Sequence, residues 1–235
     1  METILTSLAG FFLGYVFGAF PTGYFAGRLW NVDVRKHGSG RTGGTNVLRS
    51  AGWGAFIITI IGDVLKGVIP VLLARALFPA NDLAPAVAVT GAVLGHNWSV
   101  WIALIARPDP TARYAAPPLG WIQRLAHQGR GGAGVATLSA AMLALFPPLV
   151  LILLAPVIAV LIIIRYASVA SLTAAISAPL LLAFFVWRGD APLVYLGMMI
   201  VNSIIIILVH IPNIKKLRAG TERKFGQRLA ERQRK

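Results

Sequence analysis

Residues 37–49 read His-Gly-Ser-Gly-Arg-Thr-Gly-Gly-Thr-Asn-Val-Leu-Arg, a run of hydroxyls, glycines and arginines between two long apolar stretches. Residues of these types can wrap an anion. Glycine lets backbone N–H groups come close, and guanidinium forks match phosphate oxygens. The pattern reads as a phosphate cradle in which Ser39, Thr45 and Asn46 donate, Gly43 and its neighbours give room, and Arg49 supplies counter-charge. A plain turn with basic residues needs no such succession of small polar side chains.

Other residues invite chemistry but are less decisive. Residues 129–134 (Gly-Arg-Gly-Gly-Ala-Gly) match GxGxxG, yet no strand precedes them, so a dinucleotide site is excluded. As the entry to a helix, Arg130, Gly131, Gly132 and Gly134 could present N–H groups to an anion; the bland alternative is a hinge. Asp63 and Lys66 lie inside an apolar run, where each ionisable group costs about 2.5–3.5 kcal/mol. They bind substrate or relay charge, or else neutralise each other across one helical turn and fix packing. His96 is a general base or a hydrogen-bonded helix-end residue, and Ser168 and Ser171 cap a helix or donate to a ligand. His210, Asn213 and Glu222 read as interfacial, helix-end and tail contacts. The absence of cysteine removes disulfides, thiol nucleophiles and zinc–thiolate sites. No metal and no cofactor is expected.

The elements that must hold these residues are membrane helices. Of 235 residues, 57% are hydrophobic and only 13% charged, with mean hydropathy +0.73. Soluble domains carry about 25% charged residues. Apolar runs at about 4–26, 53–78, 83–106, 135–164, 167–187 and 192–211 approach or exceed the ~20 residues that cross a bilayer. The formal charge of +14 lies largely in the loops 31–52 and 107–134 and in the tail, so positive-inside bias and anionic lipid account for it rather than nucleic acid. With all three basic regions cytoplasmic, the crossings must be odd in number. The run 135–164 then becomes two short helices broken at Pro147-Pro148. The expectation is an all-α integral membrane protein with seven transmembrane helices, N-terminus outside and C-terminus cytoplasmic. It is a single polytopic domain, 1–235, with spans and loops over 1–214 and a basic cytoplasmic tail at 215–235. Residues 121–128 have the periodicity of an amphipathic helix lying in the interface.

Taken together, the motifs resemble those of the bacterial acyl-phosphate:glycerol-3-phosphate acyltransferases (PlsY-type), along nearly the whole chain. GSGRTGGTNVLR keeps Ser39, Gly43, Thr45, Asn46 and Arg49 of that family's GSGNxGATNxxR. Asp63, Lys66 and Gly67 match DxxKG, and Gly95 with His96 matches GH. Arg165, Ser168 and Ser171 match RxxSxxS; His210, Asn213, Gly220, Glu222 and Lys224 match HxxN…GxExK. Two departures stand out. The family's KGGKG reads Arg130-Gly131-Gly132-Ala133-Gly134, so its second lysine is Ala133, and Arg41 stands where the family has asparagine.

The resemblance implies a bacterial plasma-membrane enzyme that moves a fatty acyl group from acyl phosphate to glycerol 3-phosphate, with its active site cytoplasmic. It implies catalytic roles for Ser39, Arg49, Ser168 and His210. It implies phosphate or substrate contacts for Arg41, Gly43, Thr45, Asn46, Lys66, His96, Arg130, Gly131, Gly132, Gly134, Ser171 and Asn213. Partners are the two substrates and membrane lipids. Arg41 either supplies the charge missing at Ala133, or the substrate set has changed, or activity is lost. The alternatives are a homologue with another acyl acceptor or a regulatory role, and a non-catalytic transporter.

Overall fold

Glycine lets two of the helices meet backbone to backbone. On α1 (Glu2–Gly18), Gly10, Gly14 and Gly18 form a ridge at four-residue spacing, facing Ala84, Ala88 and Ala92 of α5 (Leu83–Asn97). A Cβ at any of these glycines would strike the backbone carbonyl of the facing alanine. Small residues at this spacing let helix backbones meet where lipid offers no hydrophobic drive.

The computed structural model describes residues 1–105 and 113–226; the sequence expectations for 106–112 and 227–235 lie outside the described residues. Helix α2 (Thr22–Leu29) continues α1 after a break at Pro21. A 3-10 turn at Val34–Lys36 leads to α3 (Gly44–Ala51) and the long α4 (Trp53–Leu77). After α5 come the short α6 (Val100–Ile105), α7 (Leu119–Gln128) and α8 (Val135–Leu145). The chain ends in α9 (Pro147–Ile164), α10 (Ala167–Trp187), α11 (Leu193–Val209) and α12 (Ile211–Arg218). Among the described residues no strand forms; Trp98 and Arg130 make an isolated antiparallel bridge.

Four stretches are long and apolar enough to cross a membrane: Glu2–Leu29, Trp53–Leu77, Pro147–Ile164 and Ala167–Trp187. The pair Leu193–Val209 and Ile211–Arg218, bent by 51°, makes a fifth. Helices α5 and α8 are apolar but have only 15 and 11 residues. At 1.5 Å per residue they rise roughly 22 and 17 Å, less than a bilayer core of about 30 Å. Helix α5 is buried or half-buried along its whole length, and α8 exposes only Leu143; Leu151, Ile163 and Trp187 elsewhere are exposed apolar side chains suited to lipid.

Two sequence expectations are corrected here. The break at Pro147-Pro148 exists, but only α8 is short, because Pro147 is at home in the first turn of a full-length α9. The run 83–106 is not one helix. It stops at Asn97, where Asn97 O accepts from Gly131 N at 3.0 Å and Ser99 N donates to Gly129 O at 2.7 Å. Backbone groups that would continue the helix are spent on the glycine segment instead.

Polar side chains repair the breaks. Lys66 Nζ donates to Phe20 O at 3.2 Å, at the α1–α2 break, and Thr22 Oγ1 donates to Asp63 Oδ1 at 2.8 Å. Arg75 donates to Ala144 O at 2.8 Å and Leu145 O at 2.6 Å, satisfying carbonyls left open where α8 ends. The main core joins α4, α5 and α8–α11 through Val71, Val89, Leu138, Met142 and Leu182. A smaller cluster of Ala26, Val34, Val47 and Ala55 pins the polar 37–49 segment to α2 and α4.

Candidate active site

The first polar segment is half loop, half helix. Gly43 is the N-cap of α3, so Gly44, Thr45 and Asn46 form its first turn, with no side chain capping it. Gly134, left-handed at φ 86°, starts α8 in the same uncapped way, and a Cβ there would meet Asn97 Oδ1 at 2.6 Å. Helix α10, whose N-cap is Tyr166, is also uncapped. The first turns of all three helices line one cavity of about 510 Å³. Helix N-termini carry partial positive charge and unpaired N–H groups, so three on one cavity make an anion site.

Side-chain charge reinforces this. Arg41, Arg49, Arg130 and Lys216 line the cavity, against Asp63 and Glu222. Asp63 is matched by Lys66 at 2.9 Å, and Glu222 accepts from Asn213 Nδ2 at 3.1 Å. Arg41 reaches across the gap between the glycine segments and donates to Gly132 O at 2.9 Å. Burial, with Arg130 nearby, pushes its guanidinium down to about 10. Burial likewise lowers Arg49, opposed by Glu222 and aided by Arg223. Arg49 donates to Arg223 O at 2.8 Å, while its buried Nε has no partner among the described residues. Ser168, 4% exposed, has an Oγ that likewise finds no partner among the described residues. These buried donors await an acceptor.

Gly43 and Gly132 let the two segments touch: a Cβ on Gly43 would lie 3.0 Å from Gly132 Cα. Behind them, His96 Nδ1 lies 3.2 Å from Thr137 Oγ1 and 3.5 Å from Asp63 Oδ1. A Cβ on Gly132 would strike the His96 ring, and Gly132 N donates to His96 O at 3.1 Å. His96 and Asp63 thus form the wall on which the second glycine segment rests. On the opposite side His210 Nδ1 bonds Ile206 O at 2.8 Å. A carbonyl partner requires Nδ1 to be protonated, which leaves Nε2 as an acceptor.

Most sequence-selected residues meet here: Ser39, Arg41, Thr45, Arg49, Arg130 and Ser168, with Ser171, His210 and Asn213 on the other side. Three do not act as expected. Lys66 is absent from the lining because Asp63 and the Phe20 carbonyl hold its ammonium. Gly131 is not in the lining either; its N–H bonds Asn97 O. Asn46, buried, spends its side chain inside the loop, donating to Val34 O, His37 O and Arg41 O and accepting from Ser39 N. It shapes the cradle rather than donating to a ligand. Conversely, Lys216 and Phe225 line the cavity and were not singled out. Asn213 and Lys216 stand three residues apart on α12, a spacing that would have placed Lys216 beside Asn213.

The family model for glycerol-3-phosphate acyltransferase matches residues 8–106 and 111–220. The chain belongs to the glycerol-3-phosphate acyltransferase family. Among relatives of that name, one from Rubrobacter xylanophilus is 40% identical over 216 residues, covering 92% of this chain and 94% of the relative. One from Thermus thermophilus is 36% identical over 220 residues, covering 94% and 96%. The crystal structure of PlsY, an integral membrane glycerol 3-phosphate acyltransferase, in its glycerol 3-phosphate form, superposes with TM-score 0.74 at 30% identity and covers 96% of each chain. Its lysophosphatidic acid form gives 0.73 at 30% identity, covering 94% of this chain and 95% of that one.

A second, apolar cleft adjoins the first and shares Val135, Val157 and Ser171 with it. It runs between α8, α9, α10 and α11 past Leu138, Met142, Leu153 and Ile206.

Proposed function

We propose that this acyltransferase moves a fatty acyl group from acyl phosphate to the free primary hydroxyl of glycerol 3-phosphate, forming 1-acylglycerol 3-phosphate and inorganic phosphate. The observation that carries the reading is a cationic cavity, fed by three uncapped helix N-termini, that continues into an apolar cleft. One compartment suits phosphates and the other an acyl chain.

An acyl phosphate is a mixed anhydride with a good leaving group, so no side-chain nucleophile is needed. The hydroxyl oxygen bonds to the acyl carbon, the carbon–oxygen bond to phosphate breaks, and the hydroxyl proton passes by way of His210 Nε2 to the departing phosphate. Positioning and charge neutralisation supply the catalysis. In this reading the donor phosphate lies on the N-termini of α3 and α8, held by Ser39, Thr45, Arg41 and Arg130. Glycerol 3-phosphate is held by Arg49, Lys216 and Asn213. Ser168 orients a phosphate oxygen, and His210 Nε2 accepts from the attacking hydroxyl.

The membrane arrangement belongs to the same proposal. Seven crossings, with α5 and α8 as short ones, put the N-terminus outside and the cavity on the cytoplasmic side of a bacterial plasma membrane. Support comes from the arginine- and lysine-rich segments around Arg35–Arg49 and Lys215–Lys224, against the short connections α4–α5 and α10–α11.

The deciding experiment is acyl transfer from palmitoyl phosphate to glycerol 3-phosphate by purified Ser39→Ala and Arg49→Ala proteins. Each should lose about 100-fold or more in turnover while keeping its thermal transition. Wild-type activity in either variant would remove the assignment.

A further inference from the structure

A third cavity, of about 630 Å³, lies beside the acyl-transfer cavity and shares Arg130 with it. Its walls come from the end of α2, the 3-10 turn, the tip of the 37–49 segment at Gly40, and the ends of α6 and α7. Four cations, Arg28, Arg35, Lys36 and Arg130, face a single carboxylate, Asp33. That carboxylate is already taken: Arg35 grips it with Nε and Nη2, both at 2.9 Å, and stacks over the Tyr24 ring. Arg35 pulls Asp33 below the ordinary carboxylate range. Arg28 reaches Asp33 only at 3.7 Å, and its side chain is half exposed. Lys36 and Arg130 have no carboxylate partner among the described residues. Cations gathered in a concave site without counter-charge attract an anion.

The surroundings say what kind. Ile105 lines this cavity and is exposed, and Phe25, Leu29 and Leu104, each next in the chain to a lining residue, are exposed apolar side chains too. Helix α7 exposes Leu119, Trp121 and Ile122, as an amphipathic helix lying in the interface does. Basic residues next to exposed apolar helices fit a phosphate carried at headgroup depth.

We infer that this cavity is a second phosphate-binding site, distinct from the acyl-transfer cavity, whose ligand is the phosphate headgroup of an anionic membrane lipid held by Arg28, Lys36 and Arg130. Because Arg130 borders both cavities, an occupied headgroup site draws on a cation that the acyl-transfer cavity also uses. The inference stands apart from the reaction, since binding needs no acyl donor.

The test uses the full chain in phosphatidylcholine nanodiscs, titrated with spin-labelled phosphatidylglycerol, and separately with inorganic phosphate and glycerol 3-phosphate. Lys36→Gln removes an exposed side chain with no polar contact among the described residues, so it does not threaten the fold; Arg28→Gln is added to it. Lys215→Gln with Arg218→Gln removes the same charge from exposed α12. The expected result is saturable lipid binding that falls about fivefold with Lys36→Gln and about 30-fold with the pair, but hardly changes in the α12 control. Activity in pure phosphatidylcholine should stay within about twofold of wild type in the Lys36→Gln protein. Displacement by inorganic phosphate or glycerol 3-phosphate at matching affinity would reassign the ligand to a soluble phosphate and overturn the lipid claim. Equal losses in the site and control variants, or binding that never saturates, would reduce the cavity to part of a diffuse basic surface and overturn the site itself.

Discussion

At the residue scale, Arg41 is the most informative side chain. It joins two glycine segments 91 positions apart, and its half-buried charge lies near Arg130 with no carboxylate paired to it among the described residues. A guanidinium held near 10 is disfavoured until an anion arrives, so Arg41 should gain most when phosphate binds. We expect Arg41→Gln to leave the ligand-free melting temperature within about 2 °C of wild type, yet to abolish most of the rise that glycerol 3-phosphate produces. Differential scanning fluorimetry with and without the ligand measures both. Ala133 lines the same cavity. Ala133→Lys should therefore not lower activity in the wild-type background and should restore activity to Arg41→Gln, as seen in initial rates. A large loss from Ala133→Lys alone would show a pocket reshaped around Arg41. The hydroxyls and glycines were legible in the sequence because the cradle is local: Ser39, Gly43 and Thr45 lie within seven residues. The departure at Ala133 linked Arg41 to the second glycine segment as a source of missing charge, but the bond to the Gly132 carbonyl itself depends on the fold and has no marker near Arg41 in the chain. Asn46 misled for a related reason. An amide rich in donors looks the same whether it faces a ligand or, as here, three carbonyls of its own loop.

At the element scale, breaks matter more than spans. Pro147-Pro148 announced one break, and proline physics places it correctly. The stop at Asn97 had no such marker, because its cause is a backbone pairing with residues 129–131. Arg75 went unremarked inside an apolar run, although a lone cation there needs acceptors, and it finds them at the end of α8. The Gly10–Gly14–Gly18 ridge could have been read from spacing alone, and it names α1's partner. A Cβ on Gly14 would hit the Ala88 carbonyl, so the strain falls on two backbones that cannot yield separately. Gly14→Leu should cost at least about 3 kcal/mol and leave little folded protein in detergent extracts, measured by fluorescence-detected size exclusion. The same change at Gly197, with nothing within 4 Å, should be tolerated.

At the scale of the whole molecule, composition and charge announced a helical membrane protein, but length could not count its crossings, because α5 and α8 are shorter than any span. Sidedness is open to direct measurement, since the chain has no cysteine. Single cysteines at the exposed positions Arg188 and Thr221 should react oppositely. In right-side-out vesicles an impermeant maleimide should label Arg188→Cys at once and Thr221→Cys only after permeabilisation. Labelling of both, or the reverse order, would overturn the seven-crossing arrangement. Helix α9 forms one wall of the apolar cleft, yet only 6% of its apolar window is buried in the molecule. A wall shared so largely with lipid makes a poor ruler. We therefore expect products whose acyl composition mirrors the donor pool, so that chain length is decided upstream, by whatever loads the phosphate, and not by this protein.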